Sequence, residues 1–331
     1  MRPKRLLLGL ALAAALAPSL WVRSELPKVK PSPLGVIEQV AHGAAQAGPF
    51  TLVGAWEIEG RGPLFGGFSA LVSLPGDRFL AGTDGGQKLI FTRPDRAGPP
   101  PILSAFGSKA DADKLLFDLE SLTRDPASGT LWGGYEASNS IRRFGADLLP
   151  QGQVAPAAMA DWGANSGPEA FARLADGRFL AIEERSTGWN SEIHRALVFA
   201  GDPAEGAKPE ALTVAVPGGY RPVDMLAAPD GQLLVLLRDF ALGLPPTFST
   251  AIAVLQPDTI APGATVRLAL LAKLGEAFPA DNFEGMALTE DADGVHLWLV
   301  SDDNFMDYQH SYLLKLRWKD QSKRQRQKAR E

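Results

Sequence analysis

Five segments of the chain repeat one pattern. Each has a short apolar stretch, a turn, a second apolar stretch ending in a charged residue, and a third stretch. They are anchored at Phe68, Glu120, Glu169, Asp224 and Glu284, in steps of 52, 49, 55 and 60 residues. A long period built from short strands predicts a β-propeller, because one unit cannot bury both faces of its sheet whereas a ring of units can. The expected fold is therefore all-β. It is a single propeller of five four-stranded blades, with six the alternative if one outer strand is misassigned.

The strands can be written out from period-2 apolar runs and the turns between them. Blade one is read at 69–74, 78–83, 88–92 and 102–106, and blade two at 121–124, 130–135, 140–144 and a weak fourth near 153–156. Blade three is read at 170–174, 178–182, 195–199 and 211–216, and blade four at 225–228, 232–237, 251–255 and 265–271. Blade five has 285–288, 296–300 and 312–316, with its fourth strand expected from 50–58. A ring closed by strands from both ends of the domain leaves no exposed sheet edge. Pro75-Gly76-Asp77, Ala175-Asp176-Gly177 and Pro229-Asp230-Gly231 supply the hairpin turns. Only 155–162 reads as a short helix.

Composition sets outer limits. With 45% hydrophobic and 21% charged residues the chain is neither disordered nor a coiled coil. Cysteine is absent, which excludes disulfides, zinc–thiolate sites, iron–sulfur clusters and a cysteine nucleophile. Charge is segregated. Residues 1–30 carry six Lys/Arg against one acid, and 315–331 eight against two, leaving 31–314 with 19 basic and 35 acidic residues, a net −16. A body that acidic excludes nucleic acid as its partner and suits cations or a metal-bridged anion.

The ends stand apart from the repeat. Arg2, Lys4 and Arg5 lead into an uncharged apolar run over 6–17, the pattern of a secretory signal. Pro18 directly follows the small-x-small site Ala15-Leu16-Ala17, so an uncleaved anchor over 1–22 is the alternative. An exported, periplasmic protein is expected, with inner-membrane attachment through this segment if the anchor is kept. Residues 23–48 read as a linker and 49–318 as the propeller. The tail at 319–331 is basic, without an apolar face, and reads as solvated and disordered.

The repeat also places charge. In a propeller the first strand of each blade lines the central channel and the second returns beside it, about 4.8 Å away. The start of one and the end of the other therefore meet at one rim. The starts carry Glu120, Glu169, Asp224 and Glu284, with Phe68 the exception, and the ends carry Asp84, Glu136, Glu184, Arg238 and Asp302. Eight carboxylates gathered at one opening require raised pKa values or a cation. An oxygen-only donor set without cysteine or paired histidine suits a hard cation, Ca²⁺ more readily than Mg²⁺. Asn282, Asp303 and Asn304 add oxygen donors beside Glu284 and Asp302. The plain alternative is that these acids cap turns or pair with Arg142, Arg143, Arg185 and Arg221. Other chemistry lacks its motif: His42, His194, His296 and His310 show no metal spacing, and there is no Gly-x-Ser-x-Gly elbow, phosphate-binding loop or dinucleotide fingerprint.

Four motifs in series carry a likeness to a known family. They are Gly66-Gly67-Phe68-Ser69-Ala70-Leu71, then Phe117-Asp118-Leu119-Glu120-Ser121-Leu122 with Tyr135-Glu136, then Ser166-Gly167-Pro168-Glu169-Ala170 with Asp176-Gly177-Arg178. The last is Asp281-Asn282-Phe283-Glu284-Gly285 with Ser301-Asp302-Asp303-Asn304-Phe305. Over about residues 50–318 the chain resembles the phytase-like domain family, also described as "esterase-like activity of phytase". The resemblance implies an exported bacterial propeller, compared by name with calcium-dependent phytases, in which bridging Ca²⁺ ions bind substrate phosphates and activate water. This sequence departs from it at Phe68 and in having few lysines near the rim.

Two functions are expected on this basis. The first is Ca²⁺-assisted hydrolysis of a phosphoester or related ester, with a small anionic substrate. Glu120, Glu169 or Glu284 would serve as ligand or general base, and Asp84, Glu136, Glu184, Asp224 and Asp302 would complete the metal-holding ring. Arg238 or Arg221 would hold the anion; for Arg238 the plain alternative is an ion pair with Asp224 or Asp239. The second function is a non-catalytic binding propeller stabilised by its metal. Fold alone does not choose between them.

Overall fold

In a computed structural model of the chain, residues 36–60, 65–106, 118–163, 166–189, 191–243, 246–306 and 308–319 are described. The apolar run at 6–17, the rest of 1–35 and the tail from 320 lie outside them. The described residues form five sheets, antiparallel but for one added strand, and almost no helix. Blade one is Phe68–Leu74, Arg78–Thr83, Gln87–Thr92 and Ile102–Ala105, and blade two is Leu119–Arg124, Leu131–Tyr135, Ser140–Phe144 and Pro150–Val154. Blade three is Ala170–Arg173, Phe179–Ser186, Ile193–Phe199 and Pro209–Ala215, and blade four is Arg221–Ala227, Leu233–Ala241, Thr247–Leu255 and Ala269–Lys273. Blade five runs Asn282–Asp291, Gly294–Asp302, Tyr312–Trp318 and then Phe50–Glu59. The first strand of every blade touches the first strand of the next, and that of blade five touches that of blade one. This is a closed five-bladed propeller.

Burial explains why the second strands are continuously apolar. In Leu233–Ala241, Leu233, Val235 and Leu237 pack into the layer shared with blade three, while Leu234 and Leu236 pack into the layer shared with blade five. In Gly294–Asp302 the split is Leu297 and Leu299 against Trp298 and Val300. Side chains alternate across a strand, and both faces of each blade are covered, so alternation feeds two cores. The hydrophobic core is accordingly five wedges between neighbouring blades. Each fully buried Leu or Phe contributes about 1.5–3 kcal/mol. Trp298, fully buried, anchors the wedge between blades five and one: it stacks on Trp56 at 5.5 Å and meets Phe79 edge-on at 5.1 Å.

Closure follows the sequence expectation. Phe50–Glu59 pairs antiparallel with Tyr312–Trp318, from Phe50 opposite Trp318 to Glu57 opposite Tyr312, and the end rings stack at 5.9 Å. The outer edge differs from expectation. Val36–Gln39 adds a further strand along Phe50–Glu59, and Gln46–Ala47 pairs with its start. The segment read as a linker over 23–48 therefore contributes sheet from Val36 onward, covering an edge that would otherwise be open.

Two other readings are corrected. The run 265–271, expected as the outer strand of blade four, is divided between two blades. Thr265–Arg267 pairs in parallel with Pro209–Ala215 of blade three, and only from Ala269 does the chain pair with Thr247–Leu255. Val266 and Leu268 are both buried in the wedge between these blades, so one apolar run seals both sheets. The helix read at 155–162 is a single 3₁₀ turn, Ala157–Met159, with Met159 and Trp162 buried between blades two and three.

A chain beginning at Val36 keeps the closing strand and the strands that cover its edge, and should stay soluble with a cooperative thermal transition. One beginning at Arg61 lacks it and should aggregate through the exposed edge of Tyr312–Trp318. Size-exclusion chromatography and thermal melting of the two truncations check this, and equal behaviour would overturn the closing role.

Candidate functional site

The rim is built by a β-bulge repeated in every blade. In blade two Leu119 pairs with Tyr135 and Ser121 with Gly134, so Glu120 is the extra residue. In blade five Phe283 pairs with Ser301 and Gly285 with Val300, which makes Glu284 the extra residue. In blade three the Glu184 N–H donates to Gly167 O while Ala170 pairs with Ile182, which places Glu169 in the corresponding bulge. The matching residues in blades one and four are Ser69 and Val223. A bulge bends its strand and re-aims a side chain, and here it turns three glutamates toward the opening.

The second-strand ends are equivalent too. Asp84 N–H donates to Gly67 O at 3.0 Å and Glu136 N–H to Asp118 O at 2.9 Å, while Arg238 pairs with Arg221 and Asp302 with Asn282. Glycine is required where the chain runs beneath these acids. Gly67 has φ +65°, and a Cβ there would stand 2.1 Å from Asp84 Oδ1. A Cβ on Gly167 would stand 2.6 Å from the Glu136 Cα.

Seven of the eight expected carboxylates share one field. Burial pushes Glu120 well above the usual carboxylate range, reinforced by the charges of Glu284, Glu136, Asp84 and Asp302. Glu169 is likewise pushed well up by burial and by Glu184, against the pull of Arg238. Asp302 is raised well above its normal value by burial, Glu284 and Asp84, and Glu284 is raised by burial against the opposing pull of Arg238. Asp84 and Glu136 are each pushed up to about 7, chiefly by burial. Asp84 Oδ1 is buried and has no hydrogen-bond partner among the described residues. Among the described residues the Glu136 carboxylate takes a single long bond, 3.4 Å, from Gly167 N–H.

The eighth carboxylate, Asp224, does not join them. It is buried, and its two oxygens accept from Met225 N–H at 2.7 Å and Met286 N–H at 2.6 Å, tying blade four to blade five. It follows the bulge residue Val223 by one position, and a one-residue offset in a strand turns the side chain to the other face. Ser121, one past Glu120, points the same way and donates to Pro168 O of the next blade at 2.7 Å.

Arg238 is fixed by carboxylates other than the two expected. Nη2 donates to Glu184 Oε1 at 2.8 Å, and Nη1 donates to Asn282 Oδ1 at 2.8 Å and to Glu284 Oε1. These contacts gather blades three, four and five and neutralise one side of the opening. Arg221 reaches Glu184 Oε2 at 3.1 Å with its side chain 58% exposed. Asp303 and Asn304, expected as extra donors, are engaged in contacts with neighbouring chain segments. Asp303 Oδ1 accepts from Gly67 N–H and Phe305 N–H, both at 3.0 Å, and the Asn304 side chain faces Gln309. Asp118 was not singled out from the sequence. It takes a left-handed φ of 66°, its carboxyl is raised by burial, and its charge acts on both Asp84 and Glu136. Its signal in the sequence is its place two residues before Glu120 within the motif Phe117-Asp118-Leu119-Glu120.

No metal spacing was read around the histidines, yet Asp291, Asp293 and His296 each bring a ligand atom within 4.8 Å of the others; among the described residues no three rim carboxylates do so. The triad is metal-capable in geometry, at the opposite end of blade five from the rim. It is also rich in cations. The Asp291 oxygen facing His296 Nδ1 at 3.4 Å is held by Arg93 at 2.6 Å and Lys315 at 3.4 Å. The Asp293 oxygen facing Nε2 is held by Arg317 at 2.8 Å. Arg93 holds the Asp291 carboxyl far below the usual range, and burial keeps His296 down. These charges are already neutralised, in contrast to those of the rim.

Two predictions arise here. Asp84 and Glu136 bind protons more tightly folded than unfolded, so their contribution to stability is full below about pH 4 and is lost as pH rises through about 7. The melting temperature of metal-free protein should therefore fall between about pH 5 and pH 8, and Asp84→Asn with Glu136→Gln should flatten that fall. Asp224→Ala should cost on the order of 3 kcal/mol in a urea melt, because it strands two buried amides, and should leave any response to Ca²⁺ unchanged.

The family model Phytase-like, described as "esterase-like activity of phytase", matches residues 63–305. No curated protein matches the chain. Among solved structures, a luciferin-regenerating enzyme is 14% identical, over 86% of this chain and 95% of that one, with a TM-score of 0.44. The major allergen Mala s 1 of Malassezia sympodialis is 12% identical, over 87% and 96%, with a TM-score of 0.46. A gluconolactonase from Xanthomonas campestris is 12% identical, over 87% and 99%, with a TM-score of 0.43. Each is a distant likeness.

Proposed function

The chain belongs to the phytase-like family, whose model spans most of it, and on that premise we propose that it is an exported hydrolase of an anionic ester, acting at its acidic rim with a bound Ca²⁺ ion. The observation that carries the reading is the half of the opening that Arg238 leaves unneutralised. There Asp84, Glu136 and Asp302 all raise Glu120, Asp84 also raises Asp302, and one Asp84 oxygen has no hydrogen-bond partner among the described residues. An all-oxygen donor set with an orphaned buried carboxylate fits a hard cation. Those four residues would hold it, and when bound it supplies the positive charge that attracts an anionic ester and polarises it toward attack by water.

The chain's own groups divide the remaining work. Glu169 is buried beside Glu184, and burial together with that neighbouring charge raises its carboxyl well above the usual range, which suits it to protonate a leaving oxygen. Glu284 is oriented by Arg238 and by Asn282, whose Nδ2 donates to its Oε1 at 2.8 Å. Its partnered carboxylate is the better candidate for proton acceptor. Arg238 has its donors engaged by Glu184, Asn282 and Glu284, so its role is to hold Glu284 in place. The anion falls to Arg221, which is more than half exposed at the edge and offers a planar fork of donors.

The rival reading is a metal-stabilised binding propeller without turnover, in which the same rim carboxylates hold an ion that serves stability alone. Turnover of phosphomonoesters, phytate and carboxylesters by the purified chain, with and without Ca²⁺, separates the two. Calcium should raise the melting temperature through binding to the native state, and Asp84→Asn with Glu120→Gln should abolish the rise. Glu169→Gln should keep the rise yet lower kcat by about 10²–10⁴-fold. A calcium-induced rise with no turnover of any ester class would establish the rival instead.

A further inference from the structure

A second concavity of about 900 Å³ opens beside the rim, between blade three and the lead into blade four. One wall is the loop joining Phe179–Ser186 to Ile193–Phe199. That loop is braced from within: Thr187 N–H donates to Ile193 O at 2.7 Å, Ser191 N–H to Gly188 O at 3.0 Å, and the Thr187 and Ser191 hydroxyls meet at 3.1 Å. It is also tied across the cavity, because Glu192 Oε1 accepts from Gly218 N–H at 2.9 Å and Glu192 O from Val216 N–H at 2.7 Å. At its tip Trp189 is 96% exposed. An indole displayed in full on a braced loop has no role in any core, and large rigid aromatics of this kind are the usual anchors of recognition.

Arg185 and Arg221 stand in the same cavity. Each meets a carboxylate that another arginine already holds. Arg185 lies 3.5 Å from Glu183, which Arg195 grips through two bonds at 2.6 and 2.9 Å, and Arg221 lies 3.1 Å from Glu184, which Arg238 also holds. Both side chains are more than half exposed, at 54% and 58%. A guanidinium carries five N–H donors, and both arginines line the cavity. Arg221 lines the cavity and pairs with Glu184 of the rim, so a single ion pair lies between the two.

We infer that this cavity binds a flat-ringed organic anion, the ring against Trp189 and the carboxylate or phosphate on the Arg185 and Arg221 forks, and that it seats the non-reacting part of the substrate. The site rests on the hydrolase reading only in taking the rim as the place where the bond breaks. A concavity of this size accommodates a ligand of one or two rings. Bidentate recognition by arginine selects a planar anionic group over a neutral one.

Titration calorimetry with 1-naphthoate, 1-naphthalenemethanol and acetate tests the site without calling on activity. Wild-type protein should bind naphthoate at least about tenfold more tightly than either of the others. Trp189→Ala and Arg185→Gln, both at exposed positions, should each weaken naphthoate by about tenfold with unchanged melting temperatures. Arg185→Gln should leave naphthalenemethanol unaffected. Absence of naphthoate binding, or binding that survives either substitution, or equal affinity for the neutral alcohol, would overturn the inference. Protein that binds naphthoate in this way yet hydrolyses no ester would keep the site and remove the hydrolase reading.

Discussion

Every inner strand of this protein needs a neighbour on both of its faces, and that need organises the rest. Leu233–Leu237 and Leu297–Val300 send alternate side chains into two different wedges. A blade missing either neighbour would leave half of each such strand in water, at about 25 cal/mol per Å² of apolar surface. The wedge between blades five and one exists only because Phe50–Glu59 crosses to pair with Tyr312–Trp318. Trp56 on that strand stacks on Trp298, which meets Phe79 of blade one. The closing strand thus joins the two ends of the domain and also completes an aromatic core.

Closure brings the five rims to one opening, and the bulges decide what faces it. The resulting crowd of carboxylates opposes folding at neutral pH, since burial and mutual repulsion push Asp84 and Glu136 up to about 7. Arg238 relieves one side by holding Glu184 and Glu284. Nothing equivalent stands beside Asp84, Glu120 and Asp302 among the described ion pairs. Strain of this kind, kept where a better-paired arrangement is available elsewhere in the same blades, is characteristic of functional sites.

The better-paired arrangement is visible at the far end of blades five and one. There Arg93 joins Asp77, Asp95 and Asp291, Lys315 joins Asp95 and Asp291, and the Arg93 and Lys315 charges each lie 5.4 Å from the Trp298 ring. The carboxyls of Asp95 and Asp291 are held low by these cations, against the pull of burial. The same residue types, acids at strand ends, are thus compensated at one end of the barrel-like ring and left uncompensated at the other. The proposed cation and substrate site rests on that difference and not on acidity as such.

Blade number, strand pairs and ring closure were all legible in the sequence, because burial on both faces leaves continuous apolar runs and the turns between them carry Gly, Pro and Asp. The rim positions were legible for the same reason: a repeat puts homologous residues at homologous places, and Glu120, Glu169, Glu284 and the five second-strand ends follow it. What the repeat could not reveal was a one-residue offset. Asp224 aligns with Glu120 by spacing, yet it falls one position past the bulge and faces Met286. Nor could it reveal which partner Arg238 would choose, since Glu184 and Glu284 lie 54 and 46 residues away. The split of 265–271 between two blades, the left-handed Asp118 and the cavity under Trp189 likewise depend on chain segments that meet only after folding. Periodicity is a local property that burial writes into the chain. Side-chain direction at a bulge, and the charge that a side chain then meets, are set by the packed ring alone.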